Sequence, residues 1–306
     1  MRLLEENDGP LAPESKAMRL FRRFGRDDIA WSLRRLHVPV PKDALVLEVG
    51  SGGNPFPRSN VLLDAYESTG ERHFQALVDD RPTVLGRIEN LPFRDDAFDF
   101  VIACHVIEHS SDIEACLKEL QRVGRAGYIE TPDAFFERIN PYHDHRVEVT
   151  MRDGALSVRR KRDWREDPEI VELYEAKVKR SPAWMKHLRS NAFAFHVRYF
   201  WSRQSGGLRF RIASGVAGPG PGVPVRGEEA GPPPPAASLR QSAIAGVRGL
   251  LSQRRRNRAL DLLPLLRCPA CKDASLRREA ERLRCNGCGA SAPSPRPQLA
   301  NFMAGR

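Results

Sequence analysis

No stretch of this 306-residue chain is apolar for long enough to cross a membrane, since a helical span takes about 20 such residues. The opening MRLLEENDGP lacks the apolar segment of a secretory signal, so the expected location is the cytoplasm. No internal repeat is present. Aromatic residues are few, at 8%, and they do not alternate with the arginines as a stacking platform for nucleic acid would. Cysteine is scarcer still, with six in all. The dinucleotide-binding fingerprint is also incomplete, because Pro55 stands where its third glycine would fall.

What is present is enough for an enzyme. At 41% apolar content, the chain can bury one full catalytic domain and carry a small module besides. The net charge of +10 hides an asymmetry. Residues 1–150 hold 19 Lys and Arg against 26 Asp and Glu, a net of −7, while residues 151–306 hold 30 against 13, a net of +17. The basic half is suited to nucleic acid, an anionic glycan or a phospholipid surface, or it simply keeps the chain soluble.

The segment LVLEVGSGGNPFPRSNVLLDAYE, residues 45–67, is the most informative. An apolar run ends in Glu48, Gly50, Ser51, Gly52 and Gly53, so a strand delivers its backbone to a ligand through a turn that glycine allows to come close. Only residues 51–60 separate Gly50 from the next apolar run, and they include Pro55 and Pro57. The usual crossover helix is therefore expected to shrink to an extended loop. The second run ends in Asp64, placed to accept both hydroxyls of a ribose. Further on, FDFVIA (98–103) reads as a central buried strand, and Ile113, Cys116, Leu117 and Leu120 share one face of a helix over 112–122. Gly124 and Gly127 then punctuate a return through Tyr128 and Ile129 to Thr131 and Pro132. The alternation predicts an α/β fold with a doubly wound, mostly parallel sheet.

Organisation follows from composition. Residues 1–40 are expected to form a helical lid, with an amphipathic basic helix over 14–36, and residues 41–140 the cofactor-binding core. Residues 141–214, with a hairpin-like MRDGALSVRR and the aromatics Trp184 to Trp201, read as a cap or substrate region. Residues 215–240 are too rich in Pro and Gly to bury a core and read as a linker. A basic helix and a small module fill 241–306. In that module Cys268, Cys271, Cys285 and Cys288 are spaced C-x2-C-x13-C-x2-C. Two such knuckles aim four thiolates at one point, which suits a closed structural Zn2+ site. Paired disulfides are the competing reading. Cys104 and Cys116 lie in apolar context and read as buried thiols.

Four ordered motifs, E-x-G-x-G-G, ENLPF, DDAFDFVIACHVIEH and the helix and strand after them, resemble the class I S-adenosylmethionine-dependent methyltransferases over roughly residues 40–150. The resemblance implies a Rossmann-like fold and S-adenosylmethionine as cofactor. By it, Glu48 orients the turn and the methionine amino group, Gly50 and Gly52 approach the methionyl and ribose parts, and Asp64 takes the ribose hydroxyls. Ile88 faces adenine through its backbone, and Cys104 and His105 line the sulfonium side. The position that usually holds an adenine-binding Asp is Arg87, which cannot accept that bond, leaving Glu89 or the backbone to do so. The module LLPLLRCPACKDASLRREAERLRCNGCGASAPSPRPQLANFM resembles the zinc-ribbon protein that binds and activates tRNA, rRNA and translation-factor methyltransferases. Here it is joined to one, and the linker predicts that it folds independently of the catalytic domain.

Methyl transfer is a displacement governed by alignment, and a base is needed only for a hydroxyl acceptor. His105, His143 and His145 are the candidates, with His109 and Asp144 nearby. A metal at the His-Asp-His run lacks a visible further ligand. Three function classes remain: a methyltransferase for a small-molecule or glycan acceptor, a methyltransferase for tRNA, rRNA or a translation protein, and a non-catalytic binding scaffold. The region 141–212 resembles caps of bacterial methyltransferases of surface-glycan pathways. IETPD (129–133) stands where amino-group methyltransferases carry Asn-Pro-Pro-Tyr, so an oxygen acceptor is expected.

Overall fold

The computed structural model describes residues 13–69, 74–140, 142, 144–161, 168–213, 246, 248–273 and 275–303. The expected linker at 215–240 lies outside them. The strands of the core are β1 (Val46–Val49), β2 (Val61–Asp64), β3 (Thr83–Leu85), β4 (Phe98–Cys104) and β5 (Gly124–Pro132). β6 (Val147–Arg152), β7 (Ala155–Arg160), β8 (His196–Ser202) and β9 (Phe210–Ile212) follow. The last four are β10 (Leu276–Glu279), β11 (Arg282–Cys285), β12 (Ser291–Pro293) and β13 (Leu299–Asn301).

Seven of these make one sheet in the order β13-β3-β2-β1-β4-β5-β8. Its pairs are parallel except β5 with β8. Every residue of β1 and β2 is buried, as continuous apolar runs covered on both faces must be. Residues 51–60 cross from β1 to β2 as turns without a helix, held by Asn60, whose N–H donates to Val46 O at 2.8 Å and whose Oδ1 accepts from Val46 N at 3.0 Å. On one face, Leu47, Val49, Leu63, Val101 and Ala103 pack with Ile113, Cys116, Leu117 and Leu120. These last four belong to the helix Ile113–Val123, whose first turn is capped by Asp112 accepting from Ala115 N at 3.1 Å. Phe56, Phe100, Ile102, Ala126 and Tyr128 form the other core.

Three expectations need correction. The N-terminal segment is not one helix but two, α1 (Lys16–Arg23) and α2 (Asp27–Leu33), broken at Gly25, whose φ of +68° lies outside the right-handed helix. Met18 is buried, whereas Phe24 and Leu36 stay exposed. Second, the aromatic stretch before residue 202 does not only lie over the sheet: β8 joins it as an antiparallel edge. The predicted hairpin does form, as β6 and β7, and pairs with β9 in a separate three-stranded sheet.

Third, the C-terminal module is not decoupled from the core. Its own sheet, β10-β11-β12, is antiparallel, but β13 is the outer strand of the main sheet beside β3. Thr83 N donates to Gln298 O and Phe302 N to Leu85 O, both at 2.8 Å. Arg94 N donates to Leu265 O at 2.8 Å and Arg267 N to Pro92 O at 3.1 Å. Leu262, Leu266 and Leu283 belong to the same apolar cluster as Val84 and Phe93. The helix Arg254–Ala259 is anchored as well, with Asn60 Nδ2 donating to Asn257 Oδ1 at 2.8 Å and Arg256 Nη1 to Ala44 O at 2.9 Å. A sheet edge left open by three-residue β3 offers unpaired backbone groups, and the module's tail satisfies them.

Candidate active site

The carboxyl ends of β1, β2 and β4 open into a cleft of about 380 Å³, within the usual range of small-ligand sites. Glu48, Gly50, Ser51, Gly52, Asp64, Ile88, Glu89, Cys104 and His105 all line it. Gly50 has φ +66°, and a Cβ there would lie 2.5 Å from Val106 Cβ, so no other residue fits this turn. Glu48 is 2% exposed, and its Oε2 accepts from Phe56 N at 2.8 Å and Ser59 Oγ at 2.6 Å. Burial raises its pKa. Asp64 Oδ2 accepts from Gly52 N at 2.9 Å, which fixes the tip of β2 against the turn.

The residues present fit S-adenosylmethionine. Ser51 Oγ is buried against the cleft and has no hydrogen-bond partner among the described residues, an orphan that a polar ligand would satisfy. The carboxylates of Glu48 and Asp64 supply acceptors for an ammonium group and for hydroxyls. Glu89 is already engaged: its Oε1 accepts from Ser110 Oγ at 3.0 Å, Ser111 N at 2.9 Å and Ser111 Oγ at 3.0 Å, and its Oε2 is 3.4 Å from Arg87 Nε. Burial would raise its pKa, but Arg87 and the Ser111 amide lower it. Arg87 thus pairs with the acid two residues away and reaches Ser111 Oγ at 3.3 Å.

Opposite the glycine turn stands a network centred on Glu130 of β5, which sequence reading missed. Its carboxylate is fully buried and takes two hydrogen bonds from Arg34, Nε to Oε2 at 2.7 Å and Nη2 to Oε1 at 2.8 Å. Tyr128 Oη donates to Oε2, and Cys104 Sγ to Oε1 at 3.2 Å. Burial by itself would raise the pKa of Glu130, but His105 and Arg34 hold it well below the usual carboxylate range. Burial pushes the Cys104 thiol far up, so it remains protonated. A sequence gives no periodic signal for an ion pair between residues 96 positions apart.

His105 sits at φ +53°, a strained setting for a residue with a side chain. Its Nε2 is 3.4 Å from Glu130 Oε1, and its Nδ1 is 3.5 Å from Glu108 Oε1. Burial opposes its charge, yet the two carboxylates raise its pKa to about 9. His105 is therefore a cation at neutral pH, able to anchor an oxygen but not to take up a proton. Glu108 is buried, yet against desolvation the His105 contact and the neighbouring histidine charges together bring it to about 2. His196, 5.3 Å from the His105 ring, goes the other way: burial and the His105 charge lower it to about 4. Its Nδ1 bonds to Ala192 O at 2.9 Å, which leaves Nε2 as the basic nitrogen.

Glu108 and His109 occupy a 3-10 turn, Ile107–His109, four residues before the helix starts. His145 does not line the cleft. It is buried behind His109, its Nδ1 bonded to Glu137 Oε2 at 2.7 Å. His143 lies outside the described residues.

The four late cysteines converge. Cys268 Sγ is 3.7 Å from Cys288 Sγ, and Cys271 Sγ is 3.4 Å from Cys285 Sγ; all four sulfurs lie within 4.8 Å of one another. Tetrahedral zinc with bonds of about 2.3 Å would hold sulfurs about 3.8 Å apart, so the donor set fits zinc with no position left open.

Residues 60–129 match the family described as a methyltransferase domain. No curated protein matches the sequence significantly. Among solved structures, an S-adenosylmethionine-dependent methyltransferase from Thermotoga maritima aligns at 21% identity over 40% of this chain and 68% of its own, with a TM-score of 0.27. A complex of the Haloferax volcanii Trm112 methyltransferase activator with a methyltransferase aligns at 16% identity over 60% of this chain and 92% of the other, with a TM-score of 0.32. A methyltransferase from Mesorhizobium loti aligns at 14% identity over 53% and 80%, with a TM-score of 0.29. None of these alignments carries the assignment, which rests on the matched domain, the strand order and the cleft. No helix among the described residues is long and apolar enough to cross a membrane. Residues 60–129 thus match a methyltransferase domain, and they lie in a Rossmann-like, mostly parallel sheet whose carboxyl edge forms the cleft.

Proposed function

We propose that the enzyme methylates an oxygen of a small-molecule or glycan acceptor. The observation that supports this most is the geometry of the chamber beyond Cys104: His105 lies 3.5 Å from Glu108 and 3.4 Å from Glu130, with the His196 ring 5.3 Å away. When bound, S-adenosylmethionine supplies an electrophilic methyl group on its sulfonium. Glu48, Ser51, Gly52 and Asp64 would hold its polar ends, and Ile88 its adenine. His105 orients the acceptor oxygen by donating a hydrogen bond to it, and His196, whose ring lies 5.3 Å from that of His105, offers a neutral imidazole as the base. Glu130 fixes His105 and is itself too fully engaged to bind an amide. Arg35, Arg87 and Arg146 also line the cleft, which favours an acceptor carrying negative charge or many hydroxyls.

The ribbon supports the catalytic domain in this reading and does not recruit substrate. β13 lies beyond β3, on the opposite side of β1 from β4 and β5, where the acceptor chamber sits. The test uses methyl-labelled S-adenosylmethionine with cell extract separated into polysaccharide, small-molecule, RNA and protein fractions. Label in either of the first two is expected. Label confined to RNA or protein would refute the proposal, and no label together with no cofactor binding would favour a scaffold.

A further inference from the structure

We propose a divalent metal site, distinct from the thiolate cluster, formed by Glu108, His109 and His145 at the acceptor end of the cleft. One ligand atom of each lies within 4.8 Å of the other two. A set bound at about 2.1 Å would span about 3 to 4 Å, which falls inside that limit.

Three observations support it. The Glu108 carboxylate is 1% exposed, and neither oxygen accepts a hydrogen bond among the described residues; the nearest donor recorded is His105 Nδ1 at 3.5 Å. A buried carboxylate whose charged neighbour stands at the limit of hydrogen-bond distance, and whose oxygens accept no other bond, leaves lone pairs that a second cation would fill. His145 is oriented as metal-bound imidazoles usually are, its Nδ1 held by a carboxylate so that Nε2 can ligate. That carboxylate, Glu137, is in turn fixed by Lys161 Nζ. The two halves of the site are tied together by Arg146 N donating to Glu108 O at 2.7 Å, and the rings of His109 and His145 lie 4.7 Å apart. Asp144 Oδ2, 3.7 Å from His109 Nδ1, stands by as a further oxygen.

Two imidazoles and one carboxylate suit Zn2+, Mn2+, Fe2+ or Co2+ and leave positions open. His109 lines the cleft, so an open position faces the acceptor. If the oxygen-acceptor reading holds, the cation would bind that hydroxyl and lower its pKa.

The test loads the tag-free full chain with Co2+ and counts bound cobalt by mass spectrometry, while the sulfur-to-cobalt charge-transfer band reports the thiolate site alone. Two cobalt ions per chain are expected, one of them silent in that band. Glu108→Gln and His145→Ala should each reduce the count to one and leave the band unchanged. One ion per chain in the unaltered protein, all of it thiolate-bound, would overturn the site even where a variant fails to fold. Two ions in both folded variants would overturn it equally. Because no methyl acceptor enters the experiment, the result stands apart from the acceptor proposal.

Discussion

The two walls of the cleft are built differently. The proposed cofactor wall comes from contiguous chain: residues 48–64 supply the turn, the loop and Asp64, and 86–89 the stretch proposed to face adenine. The proposed acceptor wall exposes His105 to the cleft, and behind it stand Arg34 of the 3-10 turn after α2, Glu108 after β4, Glu130 of β5, His145 before β6 and His196 of β8. The first wall works through backbone and one carboxylate per task. The second works through charges that neutralise one another in a buried setting, so each depends on its partners. A ligand shared by many enzymes can be read by a short local motif, whereas an acceptor site needs groups the topology brings together.

The contrast extends to stability, and the largest effect should come from the buttress under the cofactor wall. Stripping metal from the thiolate cluster with a chelator should unfold the ribbon, remove β13 from β3 and weaken S-adenosylmethionine binding by the full chain, because zinc supplies much of so small a module's folding free energy. Calorimetry with and without chelator measures it; unchanged affinity would mean the cofactor wall stands alone.

On the acceptor wall, Arg34→Ala should destabilise the fold by about 3–5 kcal/mol, since it strands Glu130 as an unpaired buried charge. Denaturant titration at pH 7 gives the number. Glu130 has a depressed pKa in the folded chain, so the stability its pairing contributes is complete above the unfolded value of about 4.3 and disappears as pH falls through the depressed one. The deficit of Arg34→Ala should therefore be constant from pH 6 to 8 and shrink in acid. A deficit that grew in acid would show that Glu130 is held neutral instead.

Asp64→Ala should cost roughly 3–6 kcal/mol of cofactor binding before rearrangement, two charge-assisted hydrogen bonds at about 1.5–3 each, with little change in the acceptor network. Equal affinity would remove Asp64 from the ribose site. The smallest effect belongs to Arg87→Asp. It offers adenine a carboxylate but places it beside Glu89 and gives up the Arg87 pair, so affinity should shift less than about tenfold, roughly 1.4 kcal/mol. A large loss would assign Arg87 a role of its own.

The cofactor wall was legible because its requirements are local. A positive-φ glycine at 50, an acid closing a buried strand at 64, a helical face at 113, 116, 117 and 120, and two cysteine knuckles are each written within a few residues, where sterics and periodicity act. Sequence therefore determined the parallel core, the helix-free crossover after β1 and the thiolate set. Only the tertiary structure decided that Arg34 meets Glu130, that His105 is held charged between two acids, and that His145 turns toward Glu108 and His109. It also decided that the tail after the ribbon becomes a strand of the main sheet. These are contacts across tens to hundreds of residues, and their energies come from desolvation and from an open sheet edge, quantities that exist only once the chain has folded around them.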